Sequence, residues 1–336
     1  MRDYRFDVAR VVCMTYIVVF VHLYGYIYNV KSAYFIPVCA TLTDACLGLF
    51  TFVSGYLLGK KYVFGKHGIC SVWTFYKKRI LRIVPLFVLS VFILWLIGFN
   101  DTGSSINGLL CISPFVKPRP MTLWYIPVIL LCYLITPLVS RNSLKWRICS
   151  SLLIWGGLVL LERVIPSIDK RLMFNMFFYL GGVISSPRFD WRFKIHYGNM
   201  VKILCVMVFL TLLVLGHMFA NFHSLSYKRW SAGIGVFAIL FLCEYMSNII
   251  FKINVENRGM KRTRLHDIAI WIVGTVSYAS MACYMFHRLF FWMGELVWNP
   301  SVVWVKWIYM GCIVFPLMLG LSYYIQKYYD LLIKNV

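Results

Sequence analysis

The sequence predicts an all-α fold, a polytopic integral membrane bundle of about ten transmembrane helices with both termini in the cytoplasm. Hydrophobic residues make up 61% of the 336 residues and charged residues only 14%, whereas soluble domains carry about 25% charged residues. Aromatic residues account for 18%, which suits belts of Trp and Tyr at the membrane interfaces. We therefore expect one membrane domain over residues 1–336, with no appended soluble domain and no cleaved signal peptide.

Ten hydrophobic segments have roughly the length that crosses a bilayer. They cover residues 8–28, 34–58, 80–99, 122–140, 148–166, 172–186, 200–220, 230–251, 268–293 and 301–325. With the N-terminus inside, the inner segments and the span ends next to them hold 24 of the 34 Lys and Arg residues, the outer loops and their neighbouring span ends hold 9, and Lys306 falls within the last span. This bias follows the positive-inside rule and predicts an even number of spans.

The formal net charge of +22 is explained by these cytoplasmic loops and by their attraction to anionic lipid headgroups. Membrane lipids are therefore expected partners, and nucleic acid is not, because no basic patch belongs to a soluble fold. The eleven cysteines stand singly, with no C-x-x-C pair and no Cys/His cluster of zinc-site spacing. We expect neither a disulfide framework nor a metal.

The first span carries two ionisable side chains, Arg10 and His22. Such groups are costly at hydrocarbon depth and often serve a function, but a structural interpretation stays open for each. The stem of Arg10 can reach the lipid headgroups. His22, about 18 Å further along the helix, can form a purely structural hydrogen bond. Neither residue alone separates an enzyme from a passive membrane protein.

The second and third spans contribute small and basic residues. Ser54 and Gly55, followed by Tyr56, allow close approach between helix backbones. Arg79 and Arg82 are three residues apart, so they share a helix face and can hold phosphate groups. Helix packing alone can also explain the small residues around Gly55. The two arginines can also be explained by the general excess of basic residues at cytoplasmic ends of membrane spans.

The fourth and ninth spans contain aromatic and polar residues. Trp124 opens the fourth span and fits an aromatic belt at the start of a kinked helix. Tyr284 and His287 share a face of the ninth span, which is a second polar intrusion into the membrane. Two acidic residues, Asp44 and Glu244, are better explained by packing, interfacial solvation or pairing with a cation than by a role in a site.

The order of these features along the chain resembles the acyltransferase-3 family of integral membrane acyltransferases, over about residues 5 to 325. The positions that carry the resemblance are Asp7, Arg10, His22, Ser54, Gly55, Tyr56, Arg79, Arg82, Pro85, Leu123, Trp124, Tyr125, Ser280, Tyr284 and His287. The resemblance implies a multi-pass enzyme of the plasma or bacterial inner membrane. Such enzymes move an acyl group, most commonly acetyl, from cytoplasmic acyl-CoA to an extracytoplasmic glycan, glycolipid or other acceptor.

The resemblance also implies roles for the matching residues. Arg10 and His22 are expected to be the essential pair of the first span, and Arg79 and Arg82 the basic motif at the acyl-CoA donor site. The residues expected to support the substrates are Ser54, Tyr56, Trp124, Tyr284 and His287. Acyl-CoA is expected to be a donor substrate, and no tightly bound cofactor is expected.

The first span departs from the family in one respect. The family leaves ten residues between its arginine and histidine, whereas eleven separate Arg10 from His22. At about 100° per residue, a step of twelve places the two side chains roughly 120° apart around the helix. Either the span contains a π-helical bulge, which often marks a functional site, or the two residues act in separate places.

The chemistry of acyl transfer points to the same residues. Moving an acyl group from a thioester to a hydroxyl needs a base, and histidine titrates in the right range, which makes His22 the candidate and His287 a second one. The alternative class is a transporter or flippase of a glycan or lipid precursor, because buried charges also line transport paths. No internal repeat relates the two halves of the sequence, as many transporters would show, so acyl transfer is favoured.

Overall fold

The computed structural model describes residues 4–28, 36–64, 71–120, 122–186, 198–218, 225–256 and 264–334. Helices make up 86% of the structure, and the described residues contain no strand. The predicted all-α class is therefore confirmed. We number the helices α1 Tyr4–Ile27, α2 Pro37–Lys61, α3 Val72–Leu96, α4 Thr102–Leu109, α5 Tyr125–Val139, α6 Leu144–Val164, α7 Lys170–Ser185, α8 Gly198–Met218, α9 Leu225–Glu256, α10 Arg264–Val297 and α11 Val303–Lys334.

Each of the ten predicted spans overlaps one of these helices, although residues 34–35 and 219–220 of those spans lie outside the described residues. Within the described part of the chain, eight helices are long and apolar enough to cross a membrane. Helices α5 and α7 are shorter, with 15 and 16 residues. A multi-pass membrane protein is thus supported, while the count of ten and the cytoplasmic location of both ends stay predictions.

The chain forms two compact units. The terminal unit contains Met1–Leu49 and Lys194–Val336, and the middle unit contains Phe50–Phe193. The boundary falls within α2, between residues 49 and 50. The expectation of a single domain over residues 1–336 stays a prediction.

Helix α1 of the terminal unit contains a π-helical segment, Tyr16–Leu23. In a π turn, each backbone N–H bonds to the carbonyl five residues earlier, so the turn holds one residue more than an α turn. The segment lies largely between Arg10 and His22 and includes His22. One inserted residue reduces the expected angle between these two side chains from about 120° to about 20°. The π-helical alternative raised by the sequence is therefore present in the structure.

Helix α1 also lies against the helix that carries the second predicted histidine. In the terminal unit α1 packs on α9 and α10, α10 packs on α11, and α8 packs on α9. The hydroxyl of Ser277 in α10 donates a 2.7 Å hydrogen bond to the carboxylate of Asp7 in α1. This buried bond fixes the two helices beside each other near the start of α1, because a polar group removed from water needs a partner.

Helices α2 and α7 cross closely within the middle unit. A Cβ atom at Gly55 would overlap the carbonyl oxygen of Tyr179, and a Cβ atom at Gly182 would overlap that of Phe52. Glycine removes the side-chain atom that would keep the two backbones apart. The close helix approach that the sequence indicates around Gly55 is therefore seen, with Gly182 as its counterpart.

A buried guanidinium ties the ends of these two helices together. Arg147 donates to the backbone carbonyls of Gly59 at 3.2 Å and Val183 at 2.8 Å, and to the hydroxyl of Ser186 at 2.5 Å. Gly59 and Val183 lie in the last turns of α2 and α7, where carbonyls lack partners within the helix. A cation is also favourable at a helix C-terminus. Arg147 thus provides hydrogen-bond donors for carbonyl groups at the ends of both helices, which is a structural role within the middle unit.

Candidate functional site

Two histidines that are far apart in the sequence face each other in the terminal unit. The ring centroids of His22 in α1 and His287 in α10 lie 4.7 Å apart, with 34° between the ring planes. His287 is completely buried. The ring of Tyr284, one turn before it, lies 6.0 Å away between centroids. The structure thus brings three of the predicted site residues into one cluster.

Arg288 completes this cluster, and the sequence analysis gave it no role. Its Nη2 donates to Nδ1 of His22 at 3.4 Å, and its side chain is buried. Its guanidinium lies 5.4 Å from the centroid of the Tyr26 ring, and the Tyr26 hydroxyl donates to the Arg288 carbonyl at 3.1 Å. The available signal was an arginine beside His287 within a hydrophobic span, since intramembrane ionisable residues are functional candidates by default.

A buried lysine fixes the turn of α1 that follows His22. The Nζ of Lys306 in α11 donates to the backbone carbonyl of Tyr26 at 2.6 Å and to the carboxylate of Glu295 at 2.7 Å. Only 3% of Lys306 is exposed, so its charge needs this partner. Tyr26 is therefore held through its carbonyl by Lys306 and through its hydroxyl by Arg288. Together these contacts set the position of the guanidinium beside His22.

Arg10 lies apart from this cluster. Its guanidinium forms a 3.6 Å ion pair with Asp7, and 36% of its side chain is exposed. Twelve residues along a helix amount to about 18 Å, which is beyond the combined reach of an arginine and a histidine. The two residues therefore occupy separate places along α1 despite the π-helical segment between them.

The histidine cluster has the groups that acyl transfer requires. An imidazole can take or give a proton, and a guanidinium or a second N–H donor can stabilise an oxygen that becomes negatively charged. Among the described residues, no group of three His, Cys, Asp or Glu side chains is placed to hold a metal ion. The arrangement is suited to proton transfer near a developing oxyanion.

Comparison with protein families shows which family the chain belongs to. The family model of the acyltransferase domain, acyltransferase-3, matches residues 3–327. The chain belongs to the acyltransferase-3 family. The sequence resemblance is thereby confirmed, and the protein is a membrane acyltransferase. No curated protein and no solved structure matches the chain.

Two arginines of the middle unit that carry the sequence resemblance have different surroundings. The guanidinium of Arg79 lies 5.7 Å from the Tyr62 ring centroid, 6.0 Å from that of Phe75 and 5.5 Å from that of Tyr133. Arg82, one turn later in α3, is exposed. Cation–π contact on several rings restricts Arg79, whereas Arg82 presents its charge at the surface.

Trp124, another residue of this unit that carries the sequence resemblance, is covered by an arginine. The guanidinium of Arg171 lies 3.8 Å from the Trp124 ring centroid and donates to both carboxylate oxygens of Asp169, to Oδ2 at 2.6 Å and to Oδ1 at 3.0 Å. Burial raises the pKa of Asp169. The hydrogen bonds from Arg171 and the positive charge of its guanidinium lower this pKa by more, so it lies below its ordinary value. Trp124 is therefore part of a charged network at the start of α7.

The remaining predicted residues lie in or beside helix contacts. Ser54 and the buried Tyr56 flank Gly55 where α2 crosses α7. Glu244 forms ion pairs with Lys202 at 2.8 Å and with Arg5 at 3.9 Å, which is the cation pairing that the sequence suggested. Asp44 is half-buried in α2. The substrate-supporting roles of Ser54 and Tyr56 stay predictions.

Proposed function

We propose that this acyltransferase moves a short acyl group, acetyl in the simplest case, from cytoplasmic acyl-CoA to a hydroxyl of an extracytoplasmic glycan or glycolipid. The proposal rests on the contact of His22 with the buried side chains of His287 and Arg288. In a chain of the acyltransferase-3 family, this cluster supplies a base and hydrogen-bond donors in one place. No other described cluster combines two imidazoles with a buried guanidinium.

Each component of the cluster has a task in ester formation from a thioester. The acceptor hydroxyl must lose a proton as it attacks, and an imidazole contributes about 10²- to 10⁴-fold to such a step. The carbonyl oxygen becomes an oxyanion in the tetrahedral intermediate, and each well-placed donor contributes about 10²- to 10³-fold. The imidazoles of His22 and His287 and the guanidinium of Arg288 can divide these tasks, with His22 acting at the acyl group.

The donor is proposed to bind through Arg79 and Arg82. Coenzyme A carries several phosphates, and guanidinium groups bind phosphate through paired, charge-assisted hydrogen bonds. Arg82 is exposed at the protein surface, and the rings around Arg79 restrict the orientation of its guanidinium. Arg10, paired with Asp7 and partly exposed, is proposed to act on the substrates away from His22.

The first experiment is acyl transfer by the purified protein. Reconstituted protein is given radiolabelled acetyl-CoA and candidate glycans or lipid-linked sugars, and release of free CoA is followed together with acceptor labelling. We expect acceptor-dependent release in the wild type and a loss of at least about 100-fold in His22→Ala. Mass spectrometry of the labelled product then identifies the acylated hydroxyl.

The matched control is His217→Ala, which removes an exposed histidine in the last turn of α8. This variant should keep the wild-type rate, and both variants should elute and unfold like the wild type. Binding of acyl-CoA without turnover for every acceptor, or full activity of His22→Ala, would refute the proposal. The first of these results would favour the transporter or flippase interpretation.

A further inference from the structure

The hydrogen bond of His287 determines which of its ring nitrogens carries a proton. Its Nδ1 lies 2.7 Å from the backbone carbonyl oxygen of Tyr284. A carbonyl oxygen only accepts, so the proton must be on Nδ1. A neutral His287 therefore keeps its lone pair on Nε2. That atom is buried and has no hydrogen-bond partner among the described residues.

The hydrogen bond of His22 determines the opposite arrangement. The Nη2 of Arg288 lies 3.4 Å from Nδ1 of His22. A guanidinium only donates, so Nδ1 of His22 must hold the lone pair. A neutral His22 therefore carries its proton on Nε2. The two facing rings are in complementary tautomers, one with a free lone pair on Nε2 and the other with an N–H on Nε2.

We propose that His287 is the base that takes the acceptor proton and that His22 donates a hydrogen bond from Nε2–H to the acyl carbonyl oxygen. This division of labour rests on the proposed acyltransferase function. The lone pair of His22 is already engaged by a cation, and protonating Nδ1 would place a second positive charge directly beside the buried guanidinium of Arg288. The lone pair of His287 meets no such obstacle and is held ready by the bond to Tyr284.

These two residues carry the proton and stabilise the oxyanion throughout the transfer. The acceptor O–H proton passes to Nε2 of His287 as the acceptor oxygen forms its bond to the thioester carbon. The carbonyl oxygen becomes an oxyanion that accepts from Nε2–H of His22. When the intermediate collapses, the C–S bond breaks, the carbonyl re-forms, and the proton on His287 returns to the departing CoA sulfur. The products are an ester and free CoA thiol, and both histidines regain their initial state.

The burial of His287 also leads us to expect that a bound acceptor hydroxyl is favoured over water. A base that is completely buried activates bulk water poorly, because closure of a site excludes water and prevents side reactions. A base in contact with solvent would instead hydrolyse the thioester without an acceptor. Acyl-CoA hydrolysis in the absence of acceptor should therefore be slow compared with transfer.

The first test measures the tautomers directly. Isotope-labelled histidine is incorporated, the ring nitrogens are observed by NMR in the reconstituted protein, and His22→Gln and His287→Gln assign the signals among the seven histidines. We expect His287 protonated on Nδ1 and His22 protonated on Nε2. The reverse assignment at either residue overturns the proposal, whatever the activity of the protein.

The second test separates a base from a donor by kinetics. Glutamine keeps an N–H donor but has no basic nitrogen, so His287→Gln should lose at least about 100-fold in transfer rate. His22→Gln should keep a rate within about tenfold of the wild type, because the donor is retained. His217→Gln is the control. A nearly active His287→Gln with an inactive His22→Gln would reverse the roles and overturn the proposal.

The third test is chemical rescue, which a purely structural role of His287 would not show. Added imidazoles should restore transfer to His287→Ala, with a rate that rises with the basicity of the imidazole. Rescue that is absent, or that is stronger for more acidic imidazoles, contradicts a base at this position. A wild type without acceptor-dependent CoA release refutes the acyltransferase function itself, whereas an active wild type with an active His287→Gln refutes only the role of His287.

Discussion

At the scale of single residues, the carboxylate of Asp169 connects two loops of the middle unit to the start of α7. It accepts from the backbone N–H of Arg171 at 2.9 Å and from the Arg171 guanidinium, and it forms a 3.5 Å ion pair with Arg119. Arg119 in turn donates to the backbone carbonyls of Ser113 at 2.9 Å and Ser167 at 2.6 Å. Removal of the carboxylate charge therefore affects more than one contact.

The lowered pKa of Asp169 makes a pH-dependent prediction. A carboxyl whose folded pKa is depressed stabilises the fold above its unfolded pKa, and this stabilisation is lost as the pH falls through the folded pKa. We expect Asp169→Asn to lower the free energy of unfolding by about 1 to 3 kcal/mol at neutral pH. The difference from the wild type should shrink below about pH 4, the ordinary range of aspartate. Denaturant unfolding of both proteins in detergent, repeated over a range of pH, measures this difference in the free energy of unfolding.

A matched control is Glu162→Gln in the same unit. Glu162 pairs with Lys170 at 3.8 Å, and half of the Lys170 side chain is exposed. Such pairs contribute at most about 1 kcal/mol, so this variant should unfold nearly like the wild type at every pH. A stability deficit of Asp169→Asn that persists unchanged at low pH would contradict the charge-based explanation.

Some residues of the histidine cluster can be identified from the sequence, whereas their contacts cannot. His22, Tyr284 and His287 stand out because polar side chains in hydrophobic spans are unusual. The contact between His22 and Arg288 joins positions 266 residues apart, and hydropathy contains no information about which spans are neighbours. The tautomers of the two histidines follow only from hydrogen-bond partners, and these appear once α1 and α10 are placed side by side.

Among the helices, the crossing of α2 and α7 depends on glycines. Glycine makes a predicted span less certain, because it adds little hydropathy to the segment, yet here it allows the two backbones to approach closely. Gly181 and Gly182 are adjacent in α7, yet their surroundings differ. A Cβ at Gly182 would meet the backbone of α2 at Phe52 and Tyr56, whereas a Cβ at Gly181 would meet no atom within 4 Å. The two positions form a natural matched pair on one helix.

We expect opposite outcomes for alanine at these two positions. Gly182→Ala should lower the free energy of unfolding by about 1 to 3 kcal/mol, because the helices must separate to accept the added carbon. Gly181→Ala should be neutral or stabilising by up to about 1 kcal/mol, since alanine is the better helix former. Thermal unfolding of both variants in one detergent tests the prediction. Equal destabilisation of the two would show that helix propensity, not the crossing, controls the effect.

Element boundaries show where the sequence was informative. Long apolar runs predicted a helix at each of the ten segments, because burial or lipid contact requires apolar side chains over many turns. Helix α4 was missed because its sequence, from Thr102 to Leu109, is short and polar. Its signal was local: Asp101 caps the helix by accepting from the backbone N–H of Ser104 at 2.8 Å. The π-helical segment of α1 was suggested only by the spacing of two residues.

At the scale of the whole molecule, the two short helices decide the membrane topology. The 15 residues of α5 extend about 22 Å, less than the roughly 30 Å of a hydrocarbon core. If α5 and α7 both cross, the protein has ten spans; if neither crosses, it has eight. Both counts are even and place the chain ends on the same side. They differ in the connections from α5 to α6 and from α6 to α7, each of which lies on opposite sides of the membrane in the two cases.

The basic residues favour ten spans, and native lysines can test this. With a cytoplasmic N-terminus and ten spans, α3 ends outside, α5 returns the chain to the inside, and α6 leads out again. Lys117 and Lys170 should then react with a membrane-impermeant amine reagent on intact cells, whereas Lys145 and Lys334 should react only after permeabilisation. All four side chains are exposed, and mass spectrometry locates the label.

Labelling of Lys145 instead of Lys170 on intact cells would mean eight spans, with α5 and α7 failing to cross. Labelling of Lys334 on intact cells would remove the C-terminus from the cytoplasm and would contradict the charge bias from which the orientation was inferred.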